Sequence, residues 1–104
     1  MTIQNAILKS GESIISDVKE AHDGENVVTY IFNNPCGIII NGTYKVLDEE
    51  TATDKTSISL YSWPPLSKDR TIFIPVDWVV TVVNPHDQVK EMYETEVLEG
   101  ETHD

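Results

Sequence analysis

The sequence predicts a small, mainly β domain: five or more short antiparallel strands, strongly bent into an open barrel, followed by one short C-terminal helix. Three observations carry that expectation. Valine and isoleucine fall in short clusters, which suits a pleated, half-buried surface. Turn residues punctuate the chain at short intervals as far as Pro85. Beyond Asn84 the apolar spacing lengthens from two towards that of a helix. With 104 residues, the chain suffices for a single modest core. Residues 1–85 form the predicted barrel, and residues 86–104 the helix with an acidic tail.

Ala6 to Leu8 reads as a first strand and Ser10-Gly11 as its turn. Ser13 to Val18 follows as a strand that bends midway. The stretch His22 to Asn26, "HDGEN", is a strong turn, because Asp23-Gly24 tolerates positive φ at low cost. Val27 to Phe32 is apolar nearly throughout, as expected of a buried strand. Asn33-Asn34-Pro35 breaks or bends it. Ile38 to Ile40, Asn41-Gly42 and Thr43 to Leu47 predict a hairpin with a type I′ turn. Asp48 to Thr56 is expected as a solvated loop, and Ser57 to Trp63 as a half-buried strand. Pro64 to Arg70 is a connector. Thr71 to Ile74 and Trp78 to Val83 are strands joined by the tight Pro75-Val76-Asp77, since proline cannot donate to a sheet ladder. Asn84 as N-cap, Pro85 at the first helical position and Asp87 in the first turn start a helix to about Glu94. The tail beyond it is expected to fray.

The net charge is −11, from 18 acidic and 7 basic residues. It is unevenly spread, with −5 over residues 1–85 and −6 over the last 19. Nucleic-acid affinity depends on neutralising phosphates, so this surface repels DNA and RNA over most of its area. A nucleic-acid site on such a chain is local and relies on stacking and base edges. No apolar run approaches the roughly 20 residues that span a bilayer, and MTIQNAILKS lacks the pattern of a secretory signal. Cys36 is the single cysteine, which fits a reducing cytoplasm. The dipeptides His22-Asp23, His86-Asp87 and His103-Asp104 come without the further ligands of a metal-dependent hydrolase, and no nucleophile has an orienting triad. No catalytic residue, metal or cofactor is expected.

The stretch Leu8 to Val28, "LKSGESIISDVKEAHDGENVV", resembles the first motif of Sm and Sm-like proteins. Leu8, Gly11, Ile14, Val18, Asn26 and Val27 fall on its apolar, glycine, apolar, apolar, asparagine and apolar positions. Phe73 to Val83, "FIPVDWVVTVV", is similar to a degenerate second Sm motif. The chain as a whole resembles a group of small Sm-like proteins of marine-phage (cyanophage) origin. Ser10 to Val18, Asn34-Pro35, Trp63-Pro64, Pro85 and Tyr93 carry that likeness. It implies a bent five-stranded Sm-like barrel of SH3 type and a ring-shaped homo-oligomer, with a pentamer favoured. It also implies single-stranded RNA or DNA binding near the pore and a place in the cytoplasm of an infected host cell.

In such rings the base pocket is built from two loops. Carried over by position, Asn26 is the motif asparagine, and His22 stands where the family usually has aspartate. At the second turn Pro75 and Val76 occupy the Arg-Gly positions, so the expected cation is replaced. The adjacent Asp77 and Trp78 join the candidate set. Trp78, with Tyr61 and Trp63, offers an aromatic face on which any base can stack. Lys68 and Arg70 are the closest-spaced pair of cations and complete the set as phosphate contacts. Each residue also has a plain reading. Asn26 can bond its own loop, His22 can be a turn histidine, and the aromatics can be core or subunit contacts. The competing function is an acidic adaptor ring without nucleic-acid binding.

Overall fold

The computed structural model describes residues 2–47 and 52–98. Six strands, β1 (Ile3–Leu8), β2 (Ser13–Asp23), β3 (Asn26–Leu47), β4 (Ala52–Ser62), β5 (Thr71–Pro75) and β6 (Val79–Val83), form one antiparallel sheet. Its order is β4-β3-β2-β1-β6, and β5 lies beside β3 on the flank that β4 also uses. The sheet does not close. One short helix, α1 (Asp87–Tyr93), follows. The fold is thus mainly β with a C-terminal helix, and its six strands agree with the five or more expected from the residues, one beyond the five that the family likeness implies.

β3 is longer than expected, since it runs through two sequence signals for a turn and joins three expected strands into one. At Asn33-Asn34-Pro35 the strand bends but continues: Asn34 takes φ +53°, and Ser16 of β2 faces both Asn34 and Pro35. That extra residue is a β-bulge, which sharpens the twist without ending the ladder. At Asn41-Gly42 the predicted hairpin is absent. Gly42 has φ +146°, and the register slips by one residue between Ile40↔Ile58 and Gly42↔Ser57. Asn41 is the bulged residue, and its Nδ2 donates to Ser59 Oγ at 2.7 Å. Asparagine and glycine serve a bulge here for the reason that they serve a turn: both tolerate unusual φ. The loop expected over Asp48 to Thr56 is also shorter, because β4 already begins at Ala52. Positions 48–51 lie outside the described residues.

Both faces of the central sheet are covered. On one, Ala6, Leu8, Ile14, Val18, Phe32 and Ile74 pack together, with Tyr30, Trp63, Ile72, Val79 and Val82 around them. This is the inside of the bend. On the other, Ile15, Cys36, Val89 and Tyr93 pack with Ile3, Ile38, Ile58, Leu60, Val97 and Leu98. Ile14 and Ile15 are both fully buried because neighbouring strand residues point to opposite faces. The helix supplies the cover on the second face.

The helix starts two residues later than its sequence signals suggest. His86, in extended conformation, is the N-cap, and its Nδ1 accepts from Gln88 N–H at 3.2 Å. A residue that caps with its side chain stays outside the helix, so Pro85 precedes the cap. After Tyr93 the chain widens into a π turn, Glu94–Leu98, and Val97 and Leu98 pack on the sheet. Leu98 therefore does not belong to a frayed tail, and residues 99–104 lie outside the described set. Tyr93, fully buried, clamps the helix to the kink: its hydroxyl donates to Asn33 O at 3.2 Å and Asn34 O at 2.9 Å. Ser16 Oγ donates to the same Asn33 O at 2.8 Å. The bend that shapes the sheet is thus the point at which the helix is anchored.

Candidate functional site

The six candidate residues divide into two groups. The first lies where β2 turns into β3. Asp23 pairs with Asn26 across Gly24-Glu25, and Gly24 supplies φ +66°. A bulge at Val28 follows, between Ala21↔Thr29 and His22↔Val27. His22 and Asn26 are exposed on this turn. His22 Nε2 lies 3.2 Å from Glu20 Oε2, so the ring is oriented by a carboxylate on its own strand.

Asp77 and Trp78 reach the same end of β3 from its other flank. β5 runs antiparallel to β3 and ends with Pro75 opposite Thr29, three positions from Asn26. The chain then makes a single 3-10 turn, Val76–Trp78, closed by Val79 N–H donating to Val76 O. Pro75, with φ −58° and ψ 141°, sets its entry. Both Asp77 and Trp78 are exposed, and Trp78 O accepts from Lys9 N–H at 2.9 Å. The turn therefore bridges from β5 to the end of β1, where β6 begins.

Lys68 and Arg70 lie elsewhere. They belong to the connector 64–70, at the opposite end of β5, about 13 Å along the strand. Asn34 N–H donates to Arg70 O at 2.6 Å, and Thr71 Oγ1 donates to Asn33 Oδ1 at 3.0 Å. The connector's own turn is held by Ser67 N–H on Pro64 O at 3.1 Å and Asp69 N–H on Ser67 Oγ at 3.0 Å. Both cations line a cavity of about 700 Å³ together with Trp63, Cys36 and Glu96. The sequence gives no ground for separating these cations from the first group, because the separation depends on which end of β5 meets the kink.

A third cluster escaped the sequence reading. Glu12 Oε2 accepts from Trp63 Nε1 at 3.0 Å and from Tyr61 Oη at 3.3 Å, while Ser10 Oγ donates to Glu12 Oε1 at 2.9 Å. The β1–β2 turn is thereby tied to the end of β4. Burial, and then the Glu12 carboxylate, raise the Tyr61 phenol above its ordinary value of 10.0. The Tyr61 ring lies over Gly37, its cross-strand partner, so closely that no side chain fits there. Tyr61 and Trp63 are thus committed to structure at their polar ends. The signal available was the pairing of Glu12 with two aromatics 49 and 51 positions away, which local patterns do not report.

No protein-family model and no curated protein matches the sequence. No described helix is long and apolar enough to cross a membrane. What the first group can do chemically follows from its parts. An exposed indole offers stacking, an asparagine offers paired donor and acceptor for a base edge, and the acidic neighbours Glu20, Glu25 and Asp77 oppose phosphate. Such a surface suits bases better than backbone.

Proposed function

We propose that the chain is an Sm-like, ring-forming protein that binds single-stranded RNA or DNA through bases rather than phosphates. The observation that carries this reading is the joining of two strands with one unpaired flank each, β5 and β6, by a three-residue turn. Among the described residues, β5 pairs only with β3, and β6 only with β1. Exposed edges are templates for further pairing, and these carry apolar side chains: Phe73 is 67% exposed and Val80 63%. Val80 is also the bulged residue of β6 against β1. Pairing the β5 edge of one copy with the β6 edge of the next is heterologous, and repeated it closes a ring. The likeness to the marine-phage group, carried by Ser10 to Val18, Asn34-Pro35, Trp63-Pro64, Pro85 and Tyr93, favours five copies. In such a ring the His22–Asn26 turn and Asp77-Trp78 recur on each subunit.

Light scattering of the purified chain tests the assembly, with a mass of five chains expected. Phe73→Glu with Val80→Glu leaves monomers, and a wild-type monomer overturns the ring. Fluorescence anisotropy with short U-rich and A-rich RNA and single-stranded DNA at low salt tests the binding. Trp78→Ala weakens it by about 1–3 kcal/mol, the size of one base–aromatic stack. No binding at about 100 µM protein, the weak end of non-specific affinity, leaves the second reading: an acidic adaptor ring. The charge of −11, and Pro75-Val76 in place of a cation, favour that alternative.

A further inference from the structure

We infer that the cavity beneath the connector 64–70 binds a phosphorylated nucleoside, at a site separate from the β2–β3 turn and the 3-10 turn. The cavity lies between the kink of β3, the end of β4, the connector and the π turn. Its volume, about 700 Å³, falls in the range that holds a small molecule. Five features of its lining point to this class of ligand.

Trp63 forms an aromatic wall that is already fixed. Its N–H donates to Pro35 O at 3.1 Å, its indole Nε1 is bonded to Glu12, and it packs on the first core cluster. A fixed ring stacks on a base with little loss of freedom. Lys68 and Arg70, two of the seven cations on the chain, both line the cavity. Charge-assisted bonds to Arg and Lys are the usual anchors of a phosphate, and Asp69, which also lines the cavity between them, offsets part of their charge. The Arg70 backbone is itself held by Asn34 N–H at 2.6 Å. Ser62 and Ser67 contribute hydroxyls, and Glu96 on the facing wall contributes a carboxylate that suits the hydroxyls of a ribose or the amino group of a base. Pro35 and Cys36, both buried, line it from the sheet. A phosphate, a sugar and a flat base match the cations, the polar groups and the indole in one ligand.

Titration of the full chain carrying Trp78→Phe, which leaves Trp63 as its single indole, with UMP and AMP reads the site directly. Quenching of the Trp63 fluorescence is expected. Lys68→Ala and Arg70→Ala each weaken binding about tenfold, the size of one charge-assisted hydrogen bond. Uridine and adenosine, which lack the phosphate, bind at least as much more weakly. His22→Ala and Asn26→Ala leave the titration unchanged, so its success or failure is distinct from that of the ring-face reading. A 5′-phosphorylated tetranucleotide that outcompetes UMP assigns the site to strand ends, and the reverse assigns it to free nucleotides. No quenching at millimolar nucleotide overturns the inference. So does quenching that survives both cation substitutions, or a nucleoside that binds as well as its nucleotide.

Discussion

The two halves of β3 differ more than any other two regions of the molecule, although they are one continuous strand. Residues 26–37 have β2 on one flank and β5, then the start of the β4 pairing, on the other. Phe32 there is fully buried. Among the described residues, 38–47 pair with β4 alone. Of their side chains, Ile38 packs towards the helix, whereas Ile39 is 47% and Ile40 70% exposed. A two-stranded ribbon is marginal by itself in water. The difference teaches that the end of the β2 pairing at Gly37 divides a stabilising core from an arm that the core merely supports.

The sharpest way to break that division is to truncate one apolar side chain in each half. Phe32→Ala removes a buried aromatic between two strands and costs about 3–5 kcal/mol, a large part of what a domain of this size has. Ile40→Ala changes stability by about 0.5 kcal/mol or less, as exposed positions do. Urea denaturation of both variants gives the ratio directly. Similar losses would show that the arm is part of the cooperative core.

The boundary itself is sharpened by Gly37→Ala. Gly37 pairs with Ile14 and Tyr61 at the last position where β3 has both partners. A methyl group there displaces the Tyr61 ring and with it the bond to Glu12. Overpacking of this kind costs about 1–3 kcal/mol. Adding Tyr61→Ala restores part of the loss, because the two side chains compete for one space. Additive losses in the double variant would place the damage in the backbone instead. Tyr93→Phe is the gentler test at the kink. Asn34 O loses a donor while Asn33 O keeps Ser16, a loss of about 1–2 kcal/mol, or roughly 4–16 °C in Tm. Amide hydrogen exchange then rises first in α1, whose anchor is that hydroxyl.

These elements also mark what the sequence made legible. The starts of β2 and β5, the end of β6 and the existence of α1 follow from alternation, proline and the change of period, whereas Trp78, expected in β6, lies in the 3-10 turn. The continuity of β3 does not follow from them. Asn33-Asn34-Pro35 and Asn41-Gly42 carry turn chemistry, and a bulge uses the same φ tolerance as a turn. Which one forms depends on whether a partner strand lies alongside, and that partner, β4, comes from residues 52–62 beyond the signal. The same limit governs the site. His22, Asn26, Asp77 and Trp78 were named from two separated motifs, and the β5 register gathers them at one end of β3. Lys68 and Arg70 carry equal promise in the sequence, yet the register sends them to the other end. Glu12 lies within the first motif, but its bonds to Tyr61 and Trp63 arise only from the approach of β4.

Tyr61 offers the smallest effect, at the edge between core and arm. Burial and the Glu12 carboxylate hold its phenol above 10.0, so the folded chain binds this proton more tightly than the unfolded chain does. Stability from that difference is fully present below about pH 10 and is lost as pH rises through the folded value. Above it, a phenolate faces Glu12 across their former hydrogen bond. Melting temperatures from about pH 8 to pH 11.5 therefore fall more steeply for the wild type than for Tyr61→Phe, which has no proton to lose there. Glu12→Gln removes the carboxylate charge but leaves the burial, so its slope lies between the two. Parallel curves for all three would mean that the tie between the β1–β2 turn and β4 does not restrain the tyrosine, and that the arm begins at Tyr61 rather than beyond it.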